Sequence, residues 1–428
     1  MSELKRRQFL GALGVGAAGV IAGGTGGCTA VSKNPTKPPR GSAQMAMCVD
    51  YNDLVAENER LFDEEMIDRF FQRCARQGVK RIYWRVSATG NVLYHSQVRT
   101  VFKEGPKSWR AGHTDKLLEI LRKFDPMEVA SRMARKNDLE IYPWVTIFDE
   151  GAGISESDFS RENQDYVWLS RDGKHRQHGL LCYFYPEVME HRIAQIRELC
   201  QYDIDGIVLS TRSHSRPQDG HIYGFNEPVA KQYEARYGND PREGSLEVFH
   251  LYHADPFHKL LGEQLTNFLA AARAEMKDKS LFVVVKKGQE AGYPMGSMHL
   301  NYREWAKRGL VDGLIVGAME WIAVPPVAGF PHDSIDAICD DAGFWDRWFV
   351  DEYKRACGEN VEISLWFRIW GWKREYETVG ALKSWVGRTK TPRNIARLMQ
   401  SFRESRLDGI ALFEAVSINF DEALWAAL

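Results

Sequence analysis

Acids and cations interrupt otherwise apolar runs at well-separated points of this chain. They are Asp50, Arg85, Asp149 with Glu150, Ser210 with Arg212 and His214, Lys286 with Lys287, Glu320, Arg368 and Glu414. A charged side chain in an apolar run is costly to bury unless it is paired or faces a solvated opening. Two carboxyl groups, one protonated to assist departure and one ionised to attack or to activate water, are what cleavage of a glycosidic bond requires. Glu320 and Glu414 form the leading pair, because each closes a strongly hydrophobic run, Gly317-Ala318-Met319-Glu320-Trp321 and Leu412-Phe413-Glu414-Ala415. Asp149 is the next candidate for the partner carboxylate, and Asp50 stands in reserve.

The cations Arg85, Arg212, Lys286 and Arg368 come from four separate runs. Arginine forks bind carboxylate and sulfate through two bonds, so the set suits a negatively charged ligand such as a uronate-containing or sulfated polysaccharide. The alternative is that these cations pair with Asp50, Asp149, Glu320 and Glu414. The chain has 13 Trp, and indole faces stack well on sugar rings. Trp144, Trp321, Trp366, Trp370 and Trp372, with Tyr183 and Tyr185, are the candidate platforms, about half of them expected in the core. His175, His178, His214 and His221 lack a tight metal-binding spacing, so no metal is expected. No G-x-S-x-G elbow and no phosphate loop after a strand is visible, and no cofactor is called for.

The elements that must position these residues follow from periodicity. Short β-branched or aromatic runs alternate with longer amphipathic ones, the pattern of a parallel sheet. Eight strands are expected: 45–50, 81–87, 140–149, 206–213, 281–287, 313–320, 362–370 and 409–415. Helices are expected over 63–77, 126–136, 186–200, 256–276, 302–308, 344–357, 392–406 and 421–427, several opening with Asp or Pro. Asp205-Gly206, Asp312-Gly313 and Asp408-Gly409 introduce strands four, six and eight. That recurrence favours a closed (β/α)8 TIM barrel over an open sheet. The long connections, 89–114, 150–185, 213–227 and 321–344, all leave the carboxyl ends of strands, the face that carries chemistry in such a barrel. Counted from the Asp-Gly pairs, Glu320 and Glu414 share one parity while Ser210 and Arg212 have the other. Strict alternation therefore does not let all four face inward.

Composition narrows the classes further. The chain has 428 residues, 44% hydrophobic and 27% charged, enough for a large core. A formal net charge of -2 gives no basic footprint for nucleic acid. Arg6-Arg7-Gln8-Phe9-Leu10 and the uncharged run to Gly27 look like a twin-arginine signal, and Thr25-Gly26-Gly27-Cys28 resembles a lipobox with Thr25 in place of the usual Leu. The expectation is a signal over 1–28, a linker over 29–44 and one domain over 45–428, exported and held at a membrane in the periplasm or at the cell surface by a lipid on Cys28. A soluble signal cleaved elsewhere is the alternative. Cys48, Cys74, Cys182, Cys200, Cys339 and Cys357 show no regular spacing and read as mostly buried thiols.

Asp205-Gly206-Ile207-Val208-Leu209-Ser210-Thr211-Arg212, then Tyr223-Gly224-Phe225-Asn226-Glu227-Pro228 and Tyr233-Glu234-Ala235-Arg236-Tyr237-Gly238, resemble the glycosyl hydrolase-like family 10 proteins. These are bacterial barrels distantly related to α-galactosidase and α-amylase type glycosidases. The resemblance covers 45–415 and implies a carbohydrate substrate. In the family pattern the position held here by Ser210 is an Asp that would be the nucleophile. Three readings stay open: a glycoside hydrolase using Glu320 with Glu414 or Asp149, a carbohydrate-binding lipoprotein without catalysis, or a lyase with Arg212 neutralising a uronate and His214 or a Lys as base.

Overall fold

A computed structural model describes residues 44–87, 90–105, 112–151, 155–211, 221–286, 298–317, 346, 350–369, 392–419 and 421–428. Its strands are β1 (Gln44–Asp50), β2 (Val79–Arg85), β3 (Glu140–Thr146), β4 (Val167–Leu169), β5 (Arg176–Leu181), β6 (Gly206–Ser210), β7 (Ser280–Lys286), β8 (Gly313–Gly317), β9 (Glu362–Arg368) and β10 (Gly409–Phe413). β4 and β5 form an antiparallel hairpin of their own, and the other eight close a parallel barrel in chain order. The expected (β/α)8 architecture is the observed one.

Alternation divides the barrel strands into two apolar sets. Met47, Val49, Ile82, Trp84, Ile141, Leu209, Val283, Leu314, Leu365 and Leu412 face the surrounding helices as part of the large outer core. Ala46, Cys48, Tyr83, Tyr142, Trp144, Val208, Phe282, Val284, Ile315, Trp366, Ala411 and Phe413 form a separate inner cluster. Inside, Tyr83, Tyr142 and Phe282 make one aromatic layer, with Tyr142 5.5 Å edge-on to Phe282. Trp144, Trp366 and Phe413 make a second, with Trp144 5.2 Å from Trp366. Below the first layer Arg81 reaches Glu362 at 2.7 Å and Glu140 beside it, its guanidinium 5.1 Å from the Phe282 ring centre. The interior is a packed column, as this fold requires.

The three Asp-Gly pairs have a structural cause. The carboxylates of Asp205, Asp312 and Asp408 each accept, at 2.8 Å, the first ladder N–H of the preceding barrel strand, from Ile141, Leu281 and Ile363 respectively. A basic residue backs each one: Arg135, Arg273 and Lys354. The Asp thus pins register at the closed end. The glycine that follows faces the narrow interior beside a bulky neighbour. A Cβ on Gly206 would lie 2.3 Å from the Ser280 carbonyl and 2.4 Å from the Tyr142 ring, and one on Gly313 would lie 2.2 Å from the Phe282 ring.

Helices expected from the pattern are found at Glu64–Arg76, Pro126–Lys136, Pro186–Leu199, Ala254–Met276, Tyr302–Lys307, Asp351–Cys357, Pro392–Glu404 and Glu422–Trp425. Asp63 and Asp125 accept from first-turn N–H groups as N-caps. The β4–β5 hairpin lies in the long connection expected over 150–185, and helices at Tyr51–Glu57, His113–Lys123 and Glu227–Tyr237 lie almost wholly in stretches for which no element was expected.

The expected strand ends are corrected. The ladders stop at Arg85, Thr146, Ser210, Arg368 and Phe413 rather than two or three residues later, and the residues after Gly317 lie outside the described ones. Apolar character continues past the hydrogen bonds because the first turn residues are themselves buried, as Ile147, Phe148, Ala415 and Val416 are. Cys48, Cys74 and Cys182 are buried thiols, and Cys200 and Cys357 are partly so.

Gly206→Ala is expected to destabilise the chain by about 1–3 kcal/mol, because the new methyl meets main chain on one side and a packed ring on the other. Urea denaturation of the mature domain reads this, and a midpoint equal to that of the unsubstituted protein contradicts it.

Candidate active site

Asp50 ends β1 and Arg85 ends β2, and the register places them opposite each other at the carboxyl end of the barrel. Arg85 Nη1 donates to Asp50 Oδ2, and both side chains are buried. The Arg85 guanidinium carbon lies 5.3 Å from the centre of the Trp144 ring, so the upper aromatic layer is the floor beneath this pair.

The chain turns directly from β1 into the helix Tyr51–Glu57. Tyr51, Leu54 and Val55 bury one side of that helix, with Tyr51 stacked 4.9 Å from Trp84 and donating its hydroxyl to the Phe62 carbonyl at 2.6 Å. Asp53, three residues after Asp50, is thereby held at the mouth. From the other side β10 ends at Phe413, and the Glu414 carbonyl accepts the Ser417 N–H at 3.1 Å as the first turn of the helix Ala415–Asn419. Carboxylate oxygens of Asp50, Asp53 and Glu414 all lie within 4.8 Å of one another, with Glu414 1% exposed. Among the described residues, Asp50 Oδ1 and the Trp144 Nε1–H have no hydrogen-bond partner.

Crowding buried acids sets their proton affinities. Burial raises the Glu414 carboxyl well above the usual range, and the charges of Asp53 and Asp50 push the same way against the weaker pull of Arg85. Burial and then Asp50 raise Asp53 to about 7, opposed by Arg85 and by hydrogen bonds from Glu414 and Asn52. Arg85 is buried, which favours its neutral form, but Asp50 and then Asp149 outweigh that and keep it protonated. Glu414 is thus a buried acid that holds its proton above the usual carboxylate range, beside an acid raised to about 7. Three carboxylates this close also have the donor set for a hard divalent cation.

Asp149 lies just past β3, 2% exposed, with Oδ1 accepting the Gly151 N–H at 3.0 Å. The neighbouring Glu150 is a different kind of acid. Arg99 grips it at 2.9 and 3.0 Å, Arg192 at 2.5 Å, and His191 lies 3.9 Å away. Its own burial would raise its pKa, but Arg192, Arg99 and His191 hold it at about 2. His191, stacked 3.8 Å from Phe159, is lowered to about 3 by burial and then by Arg99, so it is neutral. This group ties the connection after β2, the connection after β3 and the helix Pro186–Leu199 together.

Of the residues expected to carry chemistry, Asp50, Arg85 and Glu414 meet at the mouth, with Asp149 close enough to act on Arg85. Ser210 is buried at the inward position of β6, paired in register with Thr146 and Val284. Trp144 and Trp366 are core and not exposed platforms, and Tyr183 is buried with its hydroxyl on the Ile147 carbonyl at 2.7 Å. Lys286 and Arg368 are the last residues of β7 and β9, and their side chains lie outside the described ones. Arg212, His214, Glu320, Trp321, Trp370, Trp372 and Cys28 lie outside the described residues altogether.

For Ser210 and Glu414 the parity conflict is resolved by where β10 ends, while Arg212 and Glu320 lie outside the described residues. Inward positions fall an even number of residues after each strand-opening glycine, which suits Ser210, while Glu414 follows the last ladder residue and is no longer bound by alternation. No element is expected over 51–57 from the wider pattern, so Asp53 is not singled out there, although Tyr51, Leu54 and Val55 carry helical apolar spacing. Those three residues were the available signal.

No family model matches the sequence, and no curated protein matches it. Solved structures do match it by fold. The catalytic domain of beta-amylase from Paenibacillus polymyxa superposes with a TM-score of 0.53 at 10% identity, covering 89% of this chain and 94% of that one. The beta-galactosidase of the haloarchaeon Halorubrum lacusprofundi does so with 0.55 at 9% identity, covering 87% of this chain and 52% of that one. The beta-galactosidase of Rahnella sp. R3 gives 0.50 at 12%, covering 87% and 50%. The chain thus spans nearly all of the amylase domain and about half the length of the galactosidases, and what it shares with them is the (β/α)8 barrel.

Proposed function

We propose that the chain is a carbohydrate-active protein of the glycosidase type, cleaving an O-glycosyl bond with Glu414 as proton donor. The observation that carries this reading is the meeting of Asp50, Asp53 and Glu414, each with an oxygen within 4.8 Å of the others, beside Arg85 at the carboxyl end of the barrel. A protonated buried acid near an ionisable one is how such enzymes divide the acid and base roles. Each of Asp50, Asp53 and Glu414 has an oxygen within 4.8 Å of the others, the near limit of the roughly 5 to 10 Å at which carboxyl groups flank a sugar linkage. We assign the group opposite Glu414 to Asp149 or Glu320. Asp53 acts as a positioning residue, receiving the Glu414 hydrogen bond and keeping that proton in place with its charge.

Membership of the glycosyl hydrolase-like family 10 proteins fits this reading, with another carboxylate doing the work that an Asp at position 210 would do. The presence of Ser210 there supports a second reading, a barrel that binds sugar without cleaving it. We further propose that the twin-arginine leader exports the chain and that Cys28 anchors it. No helix among the described residues is long and apolar enough to cross a membrane.

The mature domain, screened against neutral, uronate-containing and sulfated polysaccharides, is expected to release sugar from at least one of them. Glu414→Gln should then lower kcat by about 10²- to 10⁴-fold, and either Asp149→Asn or Glu320→Gln should do the same. Full activity in Glu414→Gln removes the assignment; binding without turnover in the unsubstituted protein selects the second reading. Equal response to neutral and acidic glycans would show that the cations serve only their carboxylate partners.

Asp53→Asn separates positioning from structure. Removing its charge should lower the Glu414 proton affinity, so the alkaline limb of the pH-rate profile moves to lower pH. Stability follows the same titration: a carboxyl raised from about 4 to about 7 on folding favours the folded state below the lower value and loses that contribution as pH rises through the upper one. Asp53→Asn should therefore gain Tm relative to the unsubstituted chain at pH 8 and not at pH 4. An unmoved limb with an unchanged Tm difference contradicts both.

In cells, Cys28→Ser should shift the protein from the membrane fraction to the soluble exported fraction. An unchanged membrane fraction rules out the anchor.

A further inference from the structure

On the connection after β3, Asp172 and His175 meet His221 from the connection after β6. Their ligand atoms, one carboxylate oxygen and two ring nitrogens, all lie within 4.8 Å of one another. The two imidazoles stack with centroids 4.1 Å apart and planes 20° from parallel. Asp172 Oδ2 faces His175 Nε2 at 3.8 Å. All three residues are exposed, so burial does not account for their meeting.

The scaffold under them is built of fixed bonds. Asp172 Oδ1 accepts from the Ser170 hydroxyl and from the Lys174 N–H at 3.1 Å, which leaves Oδ2 on the side of the imidazoles. The Ser170 hydroxyl also accepts the His175 N–H at 2.9 Å, shaping the turn of the β4–β5 hairpin. His221 arrives from the connection after β6, and main chain holds that segment on the hairpin. Arg171 donates to the Ile222 carbonyl at 3.0 Å, and Gly224 and Phe225 both donate to the Leu169 carbonyl at 3.0 Å. Asn226 adds side-chain bonds to Leu169 N and to the Val167 carbonyl.

We infer that Asp172, His175 and His221 form a binding site for a borderline divalent transition metal of the zinc class, which staples the β4–β5 hairpin to the segment that follows β6. Two imidazoles and a carboxylate are the ligand set such ions take, at about 2.0–2.2 Å, leaving a further position for water. Rotations of exposed side chains bring atoms already this close onto one ion. The hydrogen bonds to Asp172 Oδ1 orient that ligand in the way outer partners do in metal sites. Calcium and magnesium are disfavoured, since they take oxygen ligands and only one of the three residues supplies oxygen. Sequence spacing gave no sign of the site because its ligands are divided between two connections.

The test uses the full mature domain, stripped with chelator and titrated with zinc by calorimetry. One equivalent of zinc per chain that is lost in the His175→Ala/His221→Ala double variant is expected, with calcium and magnesium binding the same in both proteins. His175→Ala and His221→Ala should each weaken the affinity by about tenfold or more, and zinc should raise the Tm of the unsubstituted protein but not of the double variant. Because the side chains are exposed, metal-free variants should melt with the unsubstituted chain. Cobalt binding to the unsubstituted protein, read by its visible absorption bands, gives a measurement that needs no variant. A double variant that binds zinc as well as the original, or an original that takes none at about 1 mM, overturns the inference.

Discussion

Burying a charge inside a barrel is tolerable only where an opposite charge meets it, and the interior of this one obeys that constraint differently at its two ends. At the closed end Arg81 sits between Glu140 and Glu362, and the side chain of Glu140 is 44% exposed, so water shares the surplus charge. Two aromatic layers then separate that group from Asp50 and Arg85. At the open end, among the described side chains, the pair Asp50 and Arg85 is joined by half-buried Asp53 and by Glu414, which solvent scarcely reaches. The surplus is relieved by protons. That imbalance gives the mouth acids that hold their protons above the usual carboxylate range.

Glu150 shows the same residue type under the reverse balance. Two guanidiniums and one imidazole surround one carboxylate, and its proton affinity falls instead of rising. It lies next to Asp149 in sequence, so position along the chain does not separate a structural anion from a reactive one; the ratio of cations to carboxylates around it does. The knot also explains how long connections after β2 and β3 are held on the carboxyl face. A Cβ on Gly90 would lie 2.1 Å from the Glu150 carbonyl, which shows how tightly the two connections meet.

Much of the architecture was legible in the residues. All eight barrel strands and the closed topology follow from alternating periodicity and from the Asp-Gly repeat, whose register-setting role the hydrogen bonds now explain. Strand ends were less legible, because burial and not hydrogen bonding writes the apolar pattern, and turns over the mouth are buried too. Asp50, Arg85 and Glu414 were legible as charges interrupting apolar runs. Asp53 was not, since one short helical turn carries too little periodicity to be told from a loop. Nor was the knot around Glu150, which joins residues 99, 150, 191 and 192 by contacts that no local spacing encodes.

A barrel shared with amylase and galactosidase domains at about a tenth identity fixes where chemistry can occur and leaves open which chemistry it is. The mouth adds the missing term. Asp50 and Arg85 are locked by register, so they cannot move apart without unzipping β1 from β2. Asp53 and Glu414 stand on turns that leave the ladder, where alternation no longer dictates direction. Fixed charges on the strands thus set the field, and the residues just beyond the strands respond to it. On the proposed reading, a leaving oxygen with growing negative charge would be the partner able to draw the proton that burial already holds on Glu414.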